Sequence, residues 1–252
     1  MTGPVGEERL AELAANLADV RARIADACSG AGRDPAEVQL IAVTKTFPVA
    51  DIVALTQLGV IDIGENKDQE AAPKVAACAA AGVTVRWHFV GQLQVNKAAS
   101  VARYATMIHS VDRVRLAEAL ARRAVAAGRT ISCLVQVNLD PDAGPASTGG
   151  GSGGDAGRGG APPDQVLVLA AAIDAADGLE LAGVMAVAPL GQPARPAYAR
   201  LRAISEMVRS AYPQARVISA GMSGDLREAV AEGATHVRIG TALLGGRRSL
   251  VR

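Results

Sequence analysis

The strongest constraint on the fold is a regular alternation of short apolar, β-branched runs with alanine-rich helical stretches. Eight runs are predicted to be strands: 38–44, 60–63, 85–90, 106–109, 131–137, 179–187, 216–219 and 236–239. Because helical patterns fill the gaps, the strands should be parallel and buried on both faces. Eight such units in 252 residues favour an α/β fold with one closed (β/α)8 TIM barrel over an open doubly wound sheet.

Helical periodicity also precedes the first strand and predicts an extra amino-terminal helix over 7–28. Clear helical patterns in the gaps cover 66–81, 113–127, 197–211 and 225–232. The segment 143–163 breaks the alternation, because it is rich in glycine and proline and cannot bury enough apolar area to order itself. We expect a flexible loop within a single domain that spans 1–252.

Composition and charge exclude several classes of function. A formal net charge of +1 and 2% aromatic residues give little attraction for nucleic acid. The chain has no apolar run of membrane-spanning length and no targeting segment, so we expect a cytoplasmic protein, and a monomer. The three cysteines and three histidines lie on separate segments, which predicts buried cysteines and no metal site.

Lysine placement is informative because the sequence has only four lysines. Lys67 and Lys74 lie on a helical pattern, where a solvated role is expected. Lys45 instead ends the first predicted strand, and period-two alternation puts it on the same face as Ile41 and Val43. Its side chain should therefore enter the mouth of the barrel, either as a partner for a carboxylate or as a nucleophile.

Two glycine-rich segments follow the seventh and eighth strands, ISAGMSGD at 218–225 and RIGTALLGG at 238–246. Barrels of this kind often bind phosphate there, and glycine lets backbone N–H groups approach an anion. Each segment alone is compatible with an ordinary strand-to-helix turn, but the pair favours a phosphate site with hydroxyls at Ser223 and Thr241. Together with Lys45, this indicates a ligand with an aldehyde at one end and a phosphate at the other.

Five motifs carry a family resemblance: AVTKTFP, IGENKDQE, WHFVGQLQVNK, ISAGMSGD and THVRIGTALLGG. In order and spacing they resemble the pyridoxal phosphate homeostasis proteins, the YggS/PROSC-like family. The resemblance implies a barrel similar to the amino-terminal domain of alanine racemase, with pyridoxal 5'-phosphate (PLP) as a Schiff base on Lys45. It also implies a set of cofactor-binding residues: Asn66 near PLP, His88 lining the mouth, Ser219, Ser223, Gly240 and Thr241 on the phosphate with Met222 beside it, and Arg238 facing the pyridine nitrogen.

An arginine at the ring nitrogen implies weak carbanion chemistry, because a permanent cation keeps that nitrogen unprotonated. The given sequence ends just after the eighth unit, so we expect no second domain that would offer a tyrosine base. The resemblance therefore implies a PLP-binding protein of vitamin B6 homeostasis that supplies PLP-dependent apo-enzymes, with no catalytic residue assigned. Two alternatives stay open: a low-activity racemase or lyase assisted by His88, and a phosphosugar-binding barrel without PLP.

Four further expectations concern individual residues and the glycine-rich loop. Asn66 could be only the cap of the following helix, and His88 only a core histidine with satisfied nitrogens. Asp62 and Glu65 are assigned no catalysis, because period-two alternation gives no reason for them to converge. The loop at 143–163 lacks the lysine that relatives often carry there, so no function is carried over to it.

Overall fold

The computed structural model describes residues 5–140 and 159–246, and in them eight parallel strands close a barrel in chain order. The strands are β1 Gln39–Val43, β2 Asp62–Glu65, β3 Arg86–Phe89, β4 Met107–Val111, β5 Ile131–Gln136, β6 Leu179–Met185, β7 Val217–Ser219 and β8 His236–Ile239. Each strand pairs with the next, and β8 pairs with β1. The predicted TIM barrel is confirmed.

Helices cover the outside of the barrel. Over the described residues they are α1 Glu7–Gly30, α2 Val49–Gln57, α3 Asp68–Ala80, α4 Ala98–Val101, α5 Val114–Ala126, α6 Val166–Asp174, α7 Ala194–Ala211, α8 Leu226–Ala231 and α9 Thr241–Leu244. All eight predicted strands are found, but β2 continues two residues past its prediction through Gly64 and Glu65. Glycine and glutamate are uncommon in strands, so no local pattern predicts that β2 continues through these two residues.

The strands present two faces that differ in chemistry. Ala42, Ile63 and Ile239 face outward and pack in one apolar cluster with buried residues of α1. The alternate positions face inward, where Ile41 lies in register with Arg238 and Gly64 lies in register with His88. The inside of this barrel is therefore partly polar, and the largest apolar clusters lie between the strands and the helices.

Helix α1 joins the start of the described chain to its last helices, because it packs against α8 and α9. Arg9 donates a hydrogen bond to the carbonyl of Leu244 at 3.0 Å, and Asn16 donates one to the carbonyl of Leu243 at 3.1 Å. The predicted amino-terminal helix thus fixes the last described helix of the chain.

The predicted flexible loop, 143–163, lies largely outside the described residues. Its last five residues are described, and one of them, Ala161, is hydrogen-bonded to the end of β5 and to the segment after it. The N–H of Ala161 donates to the carbonyl of Gln136 at 2.7 Å, and the N–H of Asn138 donates to the carbonyl of Ala161 at 2.9 Å. This short parallel bridge extends the carboxyl end of β5.

Within the described ranges, no helix is long and apolar enough to cross a membrane. The three cysteines, Cys28, Cys78 and Cys133, are buried free thiols, as predicted. Burial raises the pKa of the Cys133 thiol to about 12, so this group is unreactive near neutral pH. In the same part of the chain, His, Cys, Asp and Glu side chains form no cluster of three that could hold a metal ion.

Candidate functional site at the carboxyl end of the barrel

Lys45 lies in a sharp turn directly after β1. Its side chain is exposed, and it makes no hydrogen bond or ion pair with any residue that the structure describes. The next residue, Thr46, has φ of 68°, a left-handed value that no other described residue except glycine adopts. The N–H of Thr46 donates to a Glu70 carboxylate oxygen at 3.0 Å, which holds the turn in this unfavourable conformation.

A buried ion pair supports the same turn from below. Lys74 Nζ lies 2.7 Å from Glu65 Oε1 and donates a hydrogen bond to the carbonyl of Thr44 at 2.8 Å. The Thr44 hydroxyl donates to the same Glu65 oxygen at 2.6 Å. The expectation of a solvated Lys74 is wrong, because α3 turns this side chain inward toward a carboxylate that is 1% exposed. Lys74 fixes the carbonyl of the residue before Lys45.

Asn66 follows β2 beside the Lys45 turn. Its side-chain Oδ1 is buried and has no hydrogen-bond partner in the described structure. It does not cap α3, whose N-cap is Lys67. Gly91 packs so closely against this segment that a Cβ there would lie 2.0 Å from the Asn66 carbonyl oxygen. Asn66 therefore offers an unsatisfied acceptor from a rigidly held backbone.

The two glycine-rich loops contact each other at this end of the barrel. The N–H of Ala242, in the first turn of α9, donates to the Ser223 hydroxyl at 3.3 Å. The N–H of Met222 donates to Asp225 at 2.6 Å, and the other oxygen of Asp225 accepts a 2.7 Å hydrogen bond from buried Tyr198. Met222 itself is 40% exposed. A buried tyrosine thus fixes the loop that carries Ser223.

Gly240 places the second loop against the first strand. A Cβ at Gly240 would lie 3.4 Å from the carbonyl oxygen of Val43, two residues before Lys45. The neighbouring residues Ile239 and Ala42 are in register between β8 and β1. Thr241 follows at once and is exposed. The loop after β8 and Lys45 after β1 therefore lie at the same end of the barrel.

Arg238 is a buried cation inside the barrel below this mouth. Its Nη1 donates to the Ser219 hydroxyl oxygen at 2.6 Å, and its Nη2 donates to the carbonyl of Ala186 at 2.9 Å. No carboxylate within the described ranges forms an ion pair with it. Burial lowers the pKa of this guanidinium from its ordinary value, while Tyr198 and Asp225 act in the opposite direction. Several of its N–H groups are available to an acceptor.

Two histidines continue from Ser219 toward the amino end of the barrel. His109 Nδ1 lies 2.9 Å from the Ser219 oxygen, and His109 Nε2 lies 3.0 Å from His88 Nδ1. His88 Nε2 lies 2.8 Å from an oxygen of Asp62. Burial lowers the pKa of His109 well below its ordinary value, and nearby His88 and Arg238 add to the effect, so His109 is neutral. Both nitrogens of His88 are occupied, as expected of a satisfied core histidine.

The chain of contacts ends at Asp62, which also accepts hydrogen bonds from Arg86 and Gln39. Burial opposes ionisation of Asp62, but hydrogen bonds from His88 and Arg86 outweigh it and lower the pKa of the carboxyl group. Asp62, Arg86 and Gln39 begin their strands, so this is the amino end of the barrel. They line a cavity of about 540 Å³ there, and His88 lines a neighbouring cavity of about 300 Å³.

Comparison with known proteins decides the family. Residues 9–248 match the family described as "Alanine racemase, N-terminal domain". The pyridoxal phosphate homeostasis protein of Mycobacterium tuberculosis is 42% identical over 96% of this chain and 95% of its own length. The chain belongs to the pyridoxal phosphate homeostasis protein family. The Escherichia coli member is 35% identical over 94% of this chain and 97% of its own length.

A solved structure of a related protein agrees with this assignment. PipY of Synechococcus elongatus, determined with PLP bound, is 33% identical and superposes with a TM-score of 0.77. The match covers 92% of this chain and all of that one. The resemblance seen in the five motifs is confirmed at the level of family and fold.

For this family member, the structure brings most of the predicted site residues to one end of the barrel. Lys45, Asn66, Ser223, Gly240 and Thr241 follow strand ends there, while Ser219 and Arg238 lie inside. His88 does not lie among the loops of the mouth but in the interior, on the far side of His109. Sequence reasoning assigned no role to His109 or Asp62. The available signal was that both are polar residues at inward positions of apolar strands.

Proposed function

We propose that this protein binds PLP as a Schiff base on Lys45 at the carboxyl end of the barrel and acts in PLP homeostasis. The observation that carries the proposal is the pairing of β8 with β1, which places the Gly240 loop beside the strand end that bears Lys45. The structure of PipY with PLP bound supports the same ligand for a relative of this chain.

The residues present fit such a ligand because two polar side chains have hydrogen-bonding capacity that the described residues do not use. Arg238 has N–H donors without a carboxylate, and a pyridine nitrogen is a suitable acceptor. The Asn66 Oδ1 is buried and unbonded within the described structure, and it would accept from a donor on or near the ligand.

The phosphate end is assigned to the two loops that contact each other. Ser223, Gly240 and Thr241 would hold the phosphate, with Met222 beside it. Ser219 belongs instead to the ring end in this proposal, because its hydroxyl is bonded to Arg238 and His109 deep in the barrel. His88 would then act through His109 and not by direct contact.

Lys45 would hold PLP through its amine, which would condense with the ligand's aldehyde to give a C=N bond with loss of one water molecule. Arg238 has only donors, so it stabilises an unprotonated ring nitrogen and disfavours carbanion chemistry. This arrangement suits holding a reactive aldehyde better than turning over a substrate. We therefore propose that the protein buffers PLP in the cytoplasm and delivers it to PLP-dependent apo-enzymes.

The test is to add PLP to purified protein, record the visible absorption, reduce with borohydride and locate the modified lysine by mass spectrometry. We expect a visible band and an adduct on Lys45, and loss of both in Lys45→Ala. Lys67→Ala is the matched control, since Lys67 is also exposed and also follows a strand end. An adduct that persists in Lys45→Ala, or a wild-type protein that stays colourless, overturns the proposal.

Catalytic turnover is tested separately by incubating the PLP-loaded protein with a panel of amino acids in deuterated water. We expect no exchange of the α-proton. Exchange that depends on Lys45 would instead support the racemase or lyase alternative.

A further inference from the structure

Five buried side chains form one continuous line of hydrogen bonds through the barrel. The line runs from Arg238 through Ser219, His109 and His88 to Asp62, with heavy-atom distances from 2.6 to 3.0 Å. All five residues are 5% exposed or less. The four contacts link five strands, β8, β7, β4, β3 and β2, so the line crosses the interior of the barrel.

We propose that Asp62, His88 and His109 are positioning residues for the ring end of the site. They orient the hydroxyl proton of Ser219 away from Arg238, so that the Ser219 oxygen holds the guanidinium in place. The identity of the ligand near Arg238 rests on the proposed function, but the direction of the hydrogen bonds does not.

The direction follows from the two ends of the line. Asp62 is ionised and can only accept, so His88 must donate from Nε2. A neutral His88 then accepts at Nδ1, so His109 must donate from Nε2. Neutral His109 accepts at Nδ1 from the Ser219 hydroxyl. Arg238 can only donate, and the Ser219 oxygen accepts from it. With neutral imidazoles, only this arrangement satisfies every contact.

The opposite direction requires one more proton on the Asp62 and His88 pair. In that state His88 would donate to His109, His109 would donate to Ser219, and the Ser219 hydroxyl proton would be free. The other titratable groups that face this pair or line its cavities are Arg21, Arg86, His109, His236 and Glu37. Arg86 already donates two hydrogen bonds to Asp62, so the carboxylate is paired without an additional proton on His88.

Arg238 is held in place by two acceptors as a result. Its two terminal nitrogens are fixed by the Ser219 oxygen and by the carbonyl of Ala186. Fixing both nitrogens fixes the plane of the guanidinium. A Ser219 whose proton pointed toward Arg238 would repel the guanidinium.

The first test needs neither a variant nor PLP. Long-range ¹H–¹⁵N spectra of the ligand-free protein report which imidazole nitrogen carries the proton. We expect both His88 and His109 as neutral tautomers protonated on Nε2. A His109 protonated on Nδ1, or a charged His109, overturns the proposal.

Two substitutions of His88 separate its two contacts. His88→Asn places an amide oxygen where Nδ1 was, so His109 keeps its acceptor. His88→Gln places an amide where Nε2 was, so the contact with Asp62 survives and His109 loses its acceptor. We expect His109 to keep its tautomer in His88→Asn and to change it in His88→Gln, with PLP bound about tenfold more weakly in the second variant alone.

These outcomes separate the two proposals. Equal weakening by both variants, with an unchanged His109 tautomer, would show that His88 is only a packing residue. If the wild-type protein forms no adduct with PLP, the proposed function fails while the tautomer result still stands or falls by itself. Should both variants unfold, as judged by far-ultraviolet circular dichroism, the wild-type spectrum decides.

Discussion

Arg238 donates to the hydroxyl oxygen of Ser219 across 2.6 Å inside the barrel, and it has no carboxylate partner among the described residues. A neutral hydroxyl and one carbonyl are thus the fixed acceptors for a buried cation. Removing either acceptor changes how the cation is held.

Ser219→Ala should destabilise the protein by about 1–3 kcal/mol, because His109 loses its donor and Arg238 loses an acceptor. Ser110 offers a matched control: it is also fully buried, but its hydroxyl has no partner in the described structure. We expect Ser110→Ala to leave the free energy of unfolding unchanged or to raise it. Urea denaturation measures both, and an equal loss in the two variants would contradict the prediction.

Lys74→Met should cost about 3–5 kcal/mol, because it leaves the Glu65 carboxylate buried without its cation. The double variant Lys74→Met with Glu65→Leu should recover most of this loss, since both charges are then absent. Lys67→Met, at an exposed position on the same side of the barrel, should change little. A double variant no more stable than Lys74→Met alone would argue against the ion pair as the cause.

Two groups make stability depend on pH in different windows. Burial lowers the pKa of His236 to about 4, so the unfolded state binds more protons between pH 4 and its ordinary value of 6.5. Stability should fall as pH decreases through that window, by up to about 3 kcal/mol from this group. His236→Asn, which keeps a partner for Thr235, should reduce the slope there.

Asp62 acts at lower pH because its pKa is lowered in the folded state. Its contribution is present above the unfolded value of about 3.9 and is lost as pH falls through the folded value. Asp62→Asn should therefore flatten the stability curve only below about pH 4. Unfolding free energies of the wild type, His236→Asn and Asp62→Asn, measured from pH 7 to pH 2, check both windows. A change of slope in the wrong window would refute either assignment.

Gly91→Ala should weaken PLP binding, because its methyl group would lie 2.0 Å from the Asn66 carbonyl oxygen and must displace that segment. Gly30→Ala is the control: it lies in α1, where the nearest atom to a new Cβ is 3.9 Å away. There we expect a gain in stability of up to about 1 kcal/mol and unchanged binding. Titration of the visible band with PLP distinguishes the two. Equal affinity in both variants would exclude a role for the Asn66 position.

The sequence allowed the barrel to be predicted, because strand and helix patterns depend only on local order, while the place of Arg238 was implied by the family resemblance. Period-two alternation also gave no reason for Asp62 and Glu65 to converge, and in the structure Asp62 binds Arg86 while Glu65 binds Lys74. The line from Ser219 to His109 joins residues 110 positions apart, and its contacts depend on the register of five strands. No local pattern contains that register, so the burial of Lys74 and the role of His109 required the structure.

The contacts of α1 with the last helix have a consequence for how the chain folds. Arg9 and Leu244 are 235 positions apart, so the barrel cannot close until the chain has been synthesised as far as the last described helix. Until β8 has been synthesised, β1 has an unpaired edge, which is prone to aggregation. The loops around Ser223 and Gly240 should therefore be among the last parts of the barrel to become ordered.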